Sequence, residues 1–214
     1  MAANPQNFRA VLWEVDTQLD FMLPSGKLYV RGAEKRIPNM RRLVDAARNG
    51  KTFLISSADQ HDNDDAEFHR FPAHCVRGTP GAAIVPELKA ADAVHIQNGA
   101  ASSIPENLSK LQQVILEKQT LDVFDNPNTE KVLARFPVDC KFVVFGVVTE
   151  LCVRLAVEGL LSRCRNVALV TDAIEALDPE QGQQTLANLV ARGARLISTT
   201  DALAIIEHSS RDGL

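Results

Sequence analysis

The sequence has no long uninterrupted apolar segment. No run reaches the roughly 18 to 20 uncharged residues needed to cross a bilayer, and the N-terminal segment MAANPQNFRA has no apolar core like that of a signal peptide. An excess of positive charge is also absent, because the net charge is -4 at pH 7. Surfaces that bind nucleic acid are usually basic. We therefore expect a cytoplasmic protein whose partners include neither membrane nor nucleic acid.

Cysteine is scarce, with 4 residues in a chain of 214. Cys75, Cys140, Cys152 and Cys164 do not follow the spacing of a zinc ribbon, and in a reducing compartment we expect free thiols rather than a disulfide framework. Internal repeats, low-complexity tracts and linkers are also absent. Since domains run from about 50 to 250 residues, the sequence predicts a single domain over residues 1–214.

Short apolar runs alternate with helical patterns along the whole chain. Several of the runs are rich in Val, Ile and Leu without polar alternation, which is typical of parallel strands covered on both faces. The runs lie at 10–16, 51–57, 93–96, 113–118, 141–146, 166–172 and 194–200. Helices are predicted at 33–49, 127–135, 151–163, 178–192 and 201–208. The pattern predicts one doubly wound α/β domain.

Three predicted strands end near polar residues of types that are common in catalytic sites. The first strand leads into Asp16, the fourth into Lys118, and the fifth into a loop that delivers Cys152 at the start of a helix. Ligands bind at the carboxyl ends of parallel strands, and a helix N-terminus with a nearby cation lowers the pKa of a thiol from about 8.5. An activated cysteine is one interpretation. In the other interpretation, Asp16 and Lys118 are solvated or capping groups and Cys152 is an inert thiol of the core.

The longest irregular region, about 58–86, follows the second strand and reaches the same edge of the sheet. It contains Asp59, His61 and His74, a carboxylate and imidazole set that suits zinc, iron or manganese and leaves positions open for water or substrate. A solvated acidic loop is the alternative interpretation. The other residues of this loop that compete as ligands are Asp62, Asp64, Asp65 and His69.

Several segments, taken in order, resemble the isochorismatase-like cysteine hydrolases, and within them most of all the nicotinamidases. The segments are VDTQLDFMLPSGKL, ADQHD, FPAHCVRGTPGA, EKQTLDVF, GVVTELCV and VALVTDAIEALD, and they span nearly the whole chain. The resemblance implies a three-layer α/β/α, Rossmann-like fold with a doubly wound, mostly parallel sheet of six strands.

The resemblance also implies roles for the residues at the strand ends. Asp16, Lys118 and Cys152 match the catalytic triad of the family, in which the cysteine attacks a carbonyl carbon. The backbone N–H groups of Val148 and Cys152 would hold the oxyanion. A cis peptide bond between Val147 and Val148 is implied as well.

For the acidic loop the resemblance implies a metal site. Asp59, His61 and His74 match the metal ligands of nicotinamidases, where the ion orients the substrate ring. The implied cofactor is a divalent ion, with zinc first and iron or manganese as alternatives. Relatives are commonly homo-oligomers, so we expect the same here. The remaining partner is a small-molecule amide.

The substrate pocket is the part that departs from the family pattern. Phe21 and Phe71 are candidates for packing on the substrate, and Gln18 for support by hydrogen bonding. However, Phe71 stands where a tryptophan is common, and Asp122 and Val123 stand where tyrosine and serine are expected. Amide chemistry is thus better supported than any one substrate.

The expected reaction is hydrolysis of a small carboxamide with release of ammonia. Conversion of nicotinamide to nicotinate is the first candidate for this reaction. True isochorismatases cleave a vinyl ether and lack both the cysteine and the metal histidines. Ureido, carbamoyl or other small amides are alternative substrates. Two further hypotheses are a hydrolase in which the metal activates water beside a passive Cys152, and a non-catalytic or redox protein that keeps the fold as an interaction module.

Overall fold

A computed structural model describes residues 7–211. The limits of the predicted domain at residues 1 and 214, and most of the segment MAANPQNFRA, lie outside the described residues. None of the described helices is long and apolar enough to cross a membrane. All four cysteines are described and are free thiols.

The fold is built on a parallel sheet of seven strands in the order β3-β4-β2-β1-β5-β6-β7. The strands are β1 Ala10–Val15, β2 Leu54–Asp59, β3 Ala93–Ile96, β4 Gln113–Lys118, β5 Lys141–Val147, β6 Asn166–Glu175 and β7 Arg195–Ile197. Each of the seven apolar runs therefore forms a strand. The expectation of six strands is wrong, because short strands at both edges pair with their neighbours and complete the sheet.

Helices cover both faces of the sheet. They are α1 Leu19–Met22, α2 Ile37–Arg48, α3 Thr129–Leu133, α4 Arg154–Ser162, α5 Pro179–Ala191 and α6 Thr199–Arg211. The predicted helix at 33–49 begins as a 3-10 turn, and the one at 127–135 is reduced to five residues. Asp178 caps α5 through its side chain, which accepts from the backbone N–H groups of Glu180 and Gln181.

Two apolar layers, one on each face, hold the helices to the sheet. Along β1, Leu12 belongs to the layer that contains residues of α2 and α6, whereas Trp13 belongs to the layer with α3, α4 and α5. Successive side chains of a strand point to opposite faces, so a strand covered on both sides must be apolar throughout. The prediction of a doubly wound, three-layer α/β/α fold is confirmed.

One exception to this apolar strand is Glu14, which is fully buried in β1. Its carboxyl accepts hydrogen bonds from Thr17 Oγ1 at 2.7 Å, Ser56 Oγ at 2.5 Å and Gln113 Nε2 at 3.1 Å. Burial raises the pKa of Glu14 to about 7 although these hydrogen bonds oppose the rise. The folded protein therefore holds the Glu14 proton more tightly than the unfolded chain does.

Replacing Glu14 by glutamine should reveal this proton in the pH dependence of stability. The pKa of the Glu14 carboxyl is near 4.5 in the unfolded chain and about 7 in the folded protein. The contribution of Glu14 to the free energy of unfolding therefore falls by about 3 kcal/mol as the pH rises from 4.5 to 7, and it stays constant at higher pH. We expect Glu14→Gln to match the wild type at pH 4.5 and to be about 3 kcal/mol more stable at pH 8. Urea unfolding at both pH values measures this, with the exposed Glu207→Gln as control. An equal difference at both pH values would contradict it.

Candidate active site and metal site

The three predicted catalytic residues meet at the carboxyl ends of β1, β4 and β5. Lys118 Nζ lies 2.9 Å from Asp16 Oδ2 and 3.7 Å from Cys152 Sγ. The same ammonium donates to Asp59 Oδ1 and, at 3.1 Å, to the carbonyl of Thr120. Lys118 is only 1% exposed and Cys152 6%. One buried cation thus contacts two carboxylates and the thiol.

The chain takes unusual backbone conformations to bring these groups together. Asp16 has a left-handed φ of 49° directly after β1, and its Oδ1 accepts a hydrogen bond from Ser57 Oγ at 2.7 Å. Gly146 has a φ of 122°, and a Cβ there would lie 2.0 Å from the carbonyl oxygen of Val15, so only glycine fits between β1 and β5. These positions fix the approach of β5 to the carboxyl end of β1.

The loop that carries the cysteine begins with a cis peptide bond between Val147 and Val148, as the resemblance implies. A single π-helical turn, Thr149–Val153, then leads into α4. Thr149 Oγ1 donates to the carbonyl of Glu175 at 2.9 Å, and Glu150 Oε1 accepts from the Asp178 N–H at 2.8 Å. These two side chains hold the turn, while Cys152 faces the pocket.

The prediction that the thiol pKa is lowered is wrong. Burial raises the pKa of Cys152 well above its usual value, the nearby Asp16 and Asp59 raise it further, and Lys118 opposes them. The sequence shows the cation but not the burial, which has the larger effect on the pKa of this thiol. Burial also raises the pKa of Asp16, with Lys118 acting in the opposite direction. The resting site therefore holds a protonated thiol beside a carboxyl group.

The candidate metal ligands Asp59, His61 and His74 also converge, and all three are buried. Asp59 Oδ2 lies 3.7 Å from His61 Nε2 and 3.8 Å from His74 Nε2. Each ring is held from its other nitrogen. Nδ1 of His61 is 2.9 Å from Asp65 Oδ2, and Nδ1 of His74 is 2.7 Å from the carbonyl of Pro72.

This arrangement fits a divalent ion. Metal-bound histidines usually have their second nitrogen held by a carboxylate or a carbonyl, which fixes the ring. His61 Nε2 is buried and has no hydrogen-bond partner among the described residues, so it has a free position for a metal. Two imidazoles and a carboxylate suit zinc, iron or manganese.

The other candidate ligands of the loop do not join this cluster. Asp62, Asp64 and His69 are exposed, and Asp65 contacts His61 on the side away from Asp59. Sequence reasoning missed Glu67, whose Oε1 lies 3.9 Å from His74 Nε2. Glu67 sits in the 3-10 turn Ala66–His69, one of several acidic residues in the loop, and its spacing gave no signal.

The thiol and two of the metal ligands, Asp59 and His74, line the same pocket. Apart from the charged groups described above, its lining is largely apolar, and the residues are Phe21, Leu28, Phe71, Leu121, Leu151 and Leu177. Phe21 and Phe71 thus lie where the sequence predicts, and both also pack near His74, with ring centroids 5.2 and 6.4 Å away. Leu177 is 43% exposed and marks the mouth. No sequence pattern singled out these leucines.

Gln18, predicted to support the pocket by hydrogen bonding, does not line the pocket, and its hydrogen bonds go to the backbone of Asp59 and Ala82. Its Nε2 donates to the carbonyls of Asp59 and Ala82 at 2.7 and 2.8 Å, and its Oε1 accepts from the Asp59 N–H at 2.7 Å. Both N–H donors of its amide are thus used within the protein, and Gln18 is not part of the pocket lining. Gln18 supports the backbone of Asp59 instead.

Asp122 and Val123, expected at the pocket, also face elsewhere. Asp122 Oδ1 accepts from the Phe124 N–H at 2.9 Å and so caps the 3-10 turn that follows. Val123 is buried in the core layer with α3 and α4. The preceding residue, Leu121, enters the pocket in their place.

Comparison with known proteins agrees with this fold. A family model, the isochorismatase domain, matches residues 10–107 and 100–201. The chain is 25% identical over 176 residues to an Arabidopsis thaliana protein described as a "probable inactive nicotinamidase", which covers 78% of this chain and 80% of that protein.

Solved structures share the fold. The pyrazinamidase of Pyrococcus horikoshii, in complex with zinc, has a TM-score of 0.71 and 24% identity, covering 89% of this chain and 99% of its own. The N-carbamoylsarcosine amidase of Thermoplasma acidophilum has a TM-score of 0.68 and 21% identity, covering 89% and 96%. Because the family model spans most of the sequence, this chain belongs to the isochorismatase family of hydrolases.

Proposed function

We propose that this protein is a cysteine-dependent amidohydrolase that releases ammonia from a small uncharged carboxamide, with nicotinamide to nicotinate as the lead reaction. The observation that carries the proposal is the buried Lys118, which contacts both the Cys152 thiol and the Asp16 carboxylate, two groups that line the pocket. Amide hydrolysis through a thioester needs a nucleophile and a group that moves protons. The two contacts support these roles for Cys152 and Asp16.

The first half of the reaction uses the resting protonation described above. Asp16 accepts the proton of Cys152, and the thiolate forms a bond to the carbonyl carbon of the substrate. The backbone N–H groups of Val148 and Cys152 are the proposed donors to the oxygen that becomes negative. Asp16 then passes its proton to the departing nitrogen, and ammonia leaves as the C–N bond breaks.

The second half returns the cysteine. Asp16, again a carboxylate, takes a proton from a water molecule that attacks the thioester. The C–S bond breaks, the carboxylic acid leaves, and the thiol regains its proton. Lys118 stays charged throughout, because Asp16 and Asp59 raise its pKa well above the usual value although burial lowers it. Its ammonium holds Asp16 in place and lowers the free energy needed to form the Cys152 thiolate.

The metal ligands have a separate role in this proposal. Asp59, His61 and His74 would hold a divalent ion, with zinc as the first choice. When bound, such an ion would supply a Lewis-acid position for a lone pair of the substrate, which would orient the substrate in the pocket. A ring nitrogen next to a carboxamide, as in nicotinamide or pyrazinamide, supplies that lone pair.

The charges of the pocket favour an uncharged substrate over an acidic one. Asp16, Asp59 and Glu67 line it together with the apolar side chains, and the ammonium of Lys118 is already paired with the first two. Apart from an ion at the metal ligands, a substrate carboxylate would find no unpaired cationic partner among the described residues of the lining, so it would lose its hydration wherever that ion does not bind it. This separates nicotinamide-like amides from carbamoyl amino acids.

An ammonia-release assay with matched substrates tests the proposal. We expect the zinc-loaded protein to hydrolyse nicotinamide or pyrazinamide with a kcat/KM at least about 100-fold above that for N-carbamoylsarcosine, which corresponds to an unpaired charge costing about 3 kcal/mol. Cys152→Ala is the blank. Faster ammonia release from the carbamoyl acid would contradict the substrate class, and rates at the blank level for all of these amides would contradict the lead substrates.

A non-catalytic role is the second candidate, because the Arabidopsis relative is described as inactive. In this chain Asp16, Lys118 and Cys152 are all present and in contact, which supports catalysis. The homo-oligomer and the cytoplasmic location stay predictions.

A further inference from the structure

An arginine outside the pocket touches the backbone that carries two of the metal ligands. Arg77 Nη2 donates to the carbonyl oxygen of Gln60 at 3.3 Å, and Gln60 lies between Asp59 and His61. The Gln119 side chain donates to the same oxygen at 3.0 Å. The Gln60 N–H in turn donates to the carbonyl of Lys118 at 2.9 Å.

The guanidinium is itself anchored by a buried carboxylate. Arg77 Nη1 lies 2.8 Å from Glu117 Oε2, and the other oxygen of Glu117 lies 3.1 Å from His95 Nδ1. The Glu117 side chain is 6% exposed, whereas that of Arg77 is 40% exposed. The planar guanidinium contacts Glu117 and the Gln60 carbonyl at the same time, and this fixes its orientation. A lysine ammonium could not make both contacts in this fixed geometry.

Strand β4 therefore holds the first two metal ligands from both faces of the sheet. Successive residues of a strand point to opposite faces, and here Lys118 pairs with the Asp59 carboxylate while Glu117 acts through Arg77 on the Gln60 carbonyl. A parallel bridge between His61 and Val76 adds a third support, since the Arg77 N–H donates to the His61 carbonyl at 2.9 Å.

We infer that Arg77, anchored by Glu117, is a positioning residue of the metal site: it fixes the Asp59–His61 backbone so that the two ligands face one ion. This inference rests on the proposed metal site. Groups that orient metal ligands without touching the metal typically change its affinity by about 10- to 100-fold when removed.

Zinc affinity separates this role from a purely electrostatic one, because the two make opposite predictions for Arg77→Met. If Arg77 acted only through its charge, its removal would strengthen zinc binding, because the Coulomb repulsion between the guanidinium and the zinc ion would be lost. Loss of positioning should weaken it by about 10- to 100-fold. Arg77→Lys keeps the charge but cannot bridge Glu117 and Gln60 in the same way, so positioning predicts weaker binding here too, whereas electrostatics predicts no change.

The dissociation constant for zinc would be measured by competition with a chromophoric chelator, using protein shown to be folded without metal by its urea transition. Arg9→Met is the matched control, since Arg9 pairs with Asp139 at 3.0 Å on an exposed surface. If Glu117 acts through Arg77, adding Glu117→Gln to Arg77→Met should have little further effect.

Several outcomes would overturn the inference. These are a zinc affinity of Arg77→Met within twofold of the wild type or tighter, and an equal loss in Arg9→Met. Failure of the wild type to bind zinc would overturn the metal site and this inference with it. Zinc binding by a wild type that hydrolyses no amide would reject the proposed reaction and leave the role of Arg77 standing on its own measurement.

Discussion

Replacing Cys152 by alanine is expected to lower kcat for ammonia release by at least about 10⁴-fold while the zinc dissociation constant stays within about twofold of the wild type. The thiol supplies the bond to the substrate carbon, and alanine offers no atom that can replace it. The metal donors belong to Asp59, His61 and His74, and none of them depends on Cys152 for a hydrogen bond that orients it. Activity and metal binding should therefore separate.

The matched control for this variant is Cys140→Ala. Cys140 is also a buried thiol, but it lies in the core layer with α3, α4 and α5, and burial raises its pKa to about 12. We expect its rate to remain within about threefold of the wild type, because a lost core sulfur affects packing rather than chemistry. Hydrolysis retained by Cys152→Ala with metal bound would instead favour a water activated by the metal.

The fold was predictable because its signal is local. Strands buried on both faces must be apolar at successive positions, and each of the seven apolar runs forms a strand. The expected number of six strands, which was taken from the resemblance, was wrong. The edge strand β7 has only three residues, and they are poorly buried. Pairing with β6, rather than composition, makes β7 part of the sheet.

The site was predictable in its members but not in its energetics. Strand ends of a parallel sheet meet at one edge, so Asp16, Lys118 and Cys152 could be grouped from their positions. Burial depends on the surrounding chain, and for that reason the direction of the pKa change of Cys152 was missed. The role of Gln18 depends on where the Asp59 backbone lies, which no pattern reveals.

Replacing Lys118 by methionine is expected to remove activity and to lower the free energy of unfolding by about 3 to 5 kcal/mol in metal-free protein. Asp16 and Asp59 are almost fully buried, and Lys118 is the ammonium that both contact. Methionine preserves most of the side-chain volume, so the loss measures charge rather than packing. Breaking a buried ion pair from one side leaves an uncompensated charge. Urea unfolding with a chelator present gives the value.

The control is Lys51→Met, because Lys51 pairs with Glu207 at 3.2 Å and both side chains are about half exposed. Exposed pairs contribute roughly 0 to 1 kcal/mol, so this variant should remain close to the wild type. Adding Asp59→Asn to Lys118→Met removes one of the uncompensated carboxylates and should restore part of the lost stability. If the double variant is no more stable than Lys118→Met alone, the uncompensated charge of Asp59 does not explain the loss of stability.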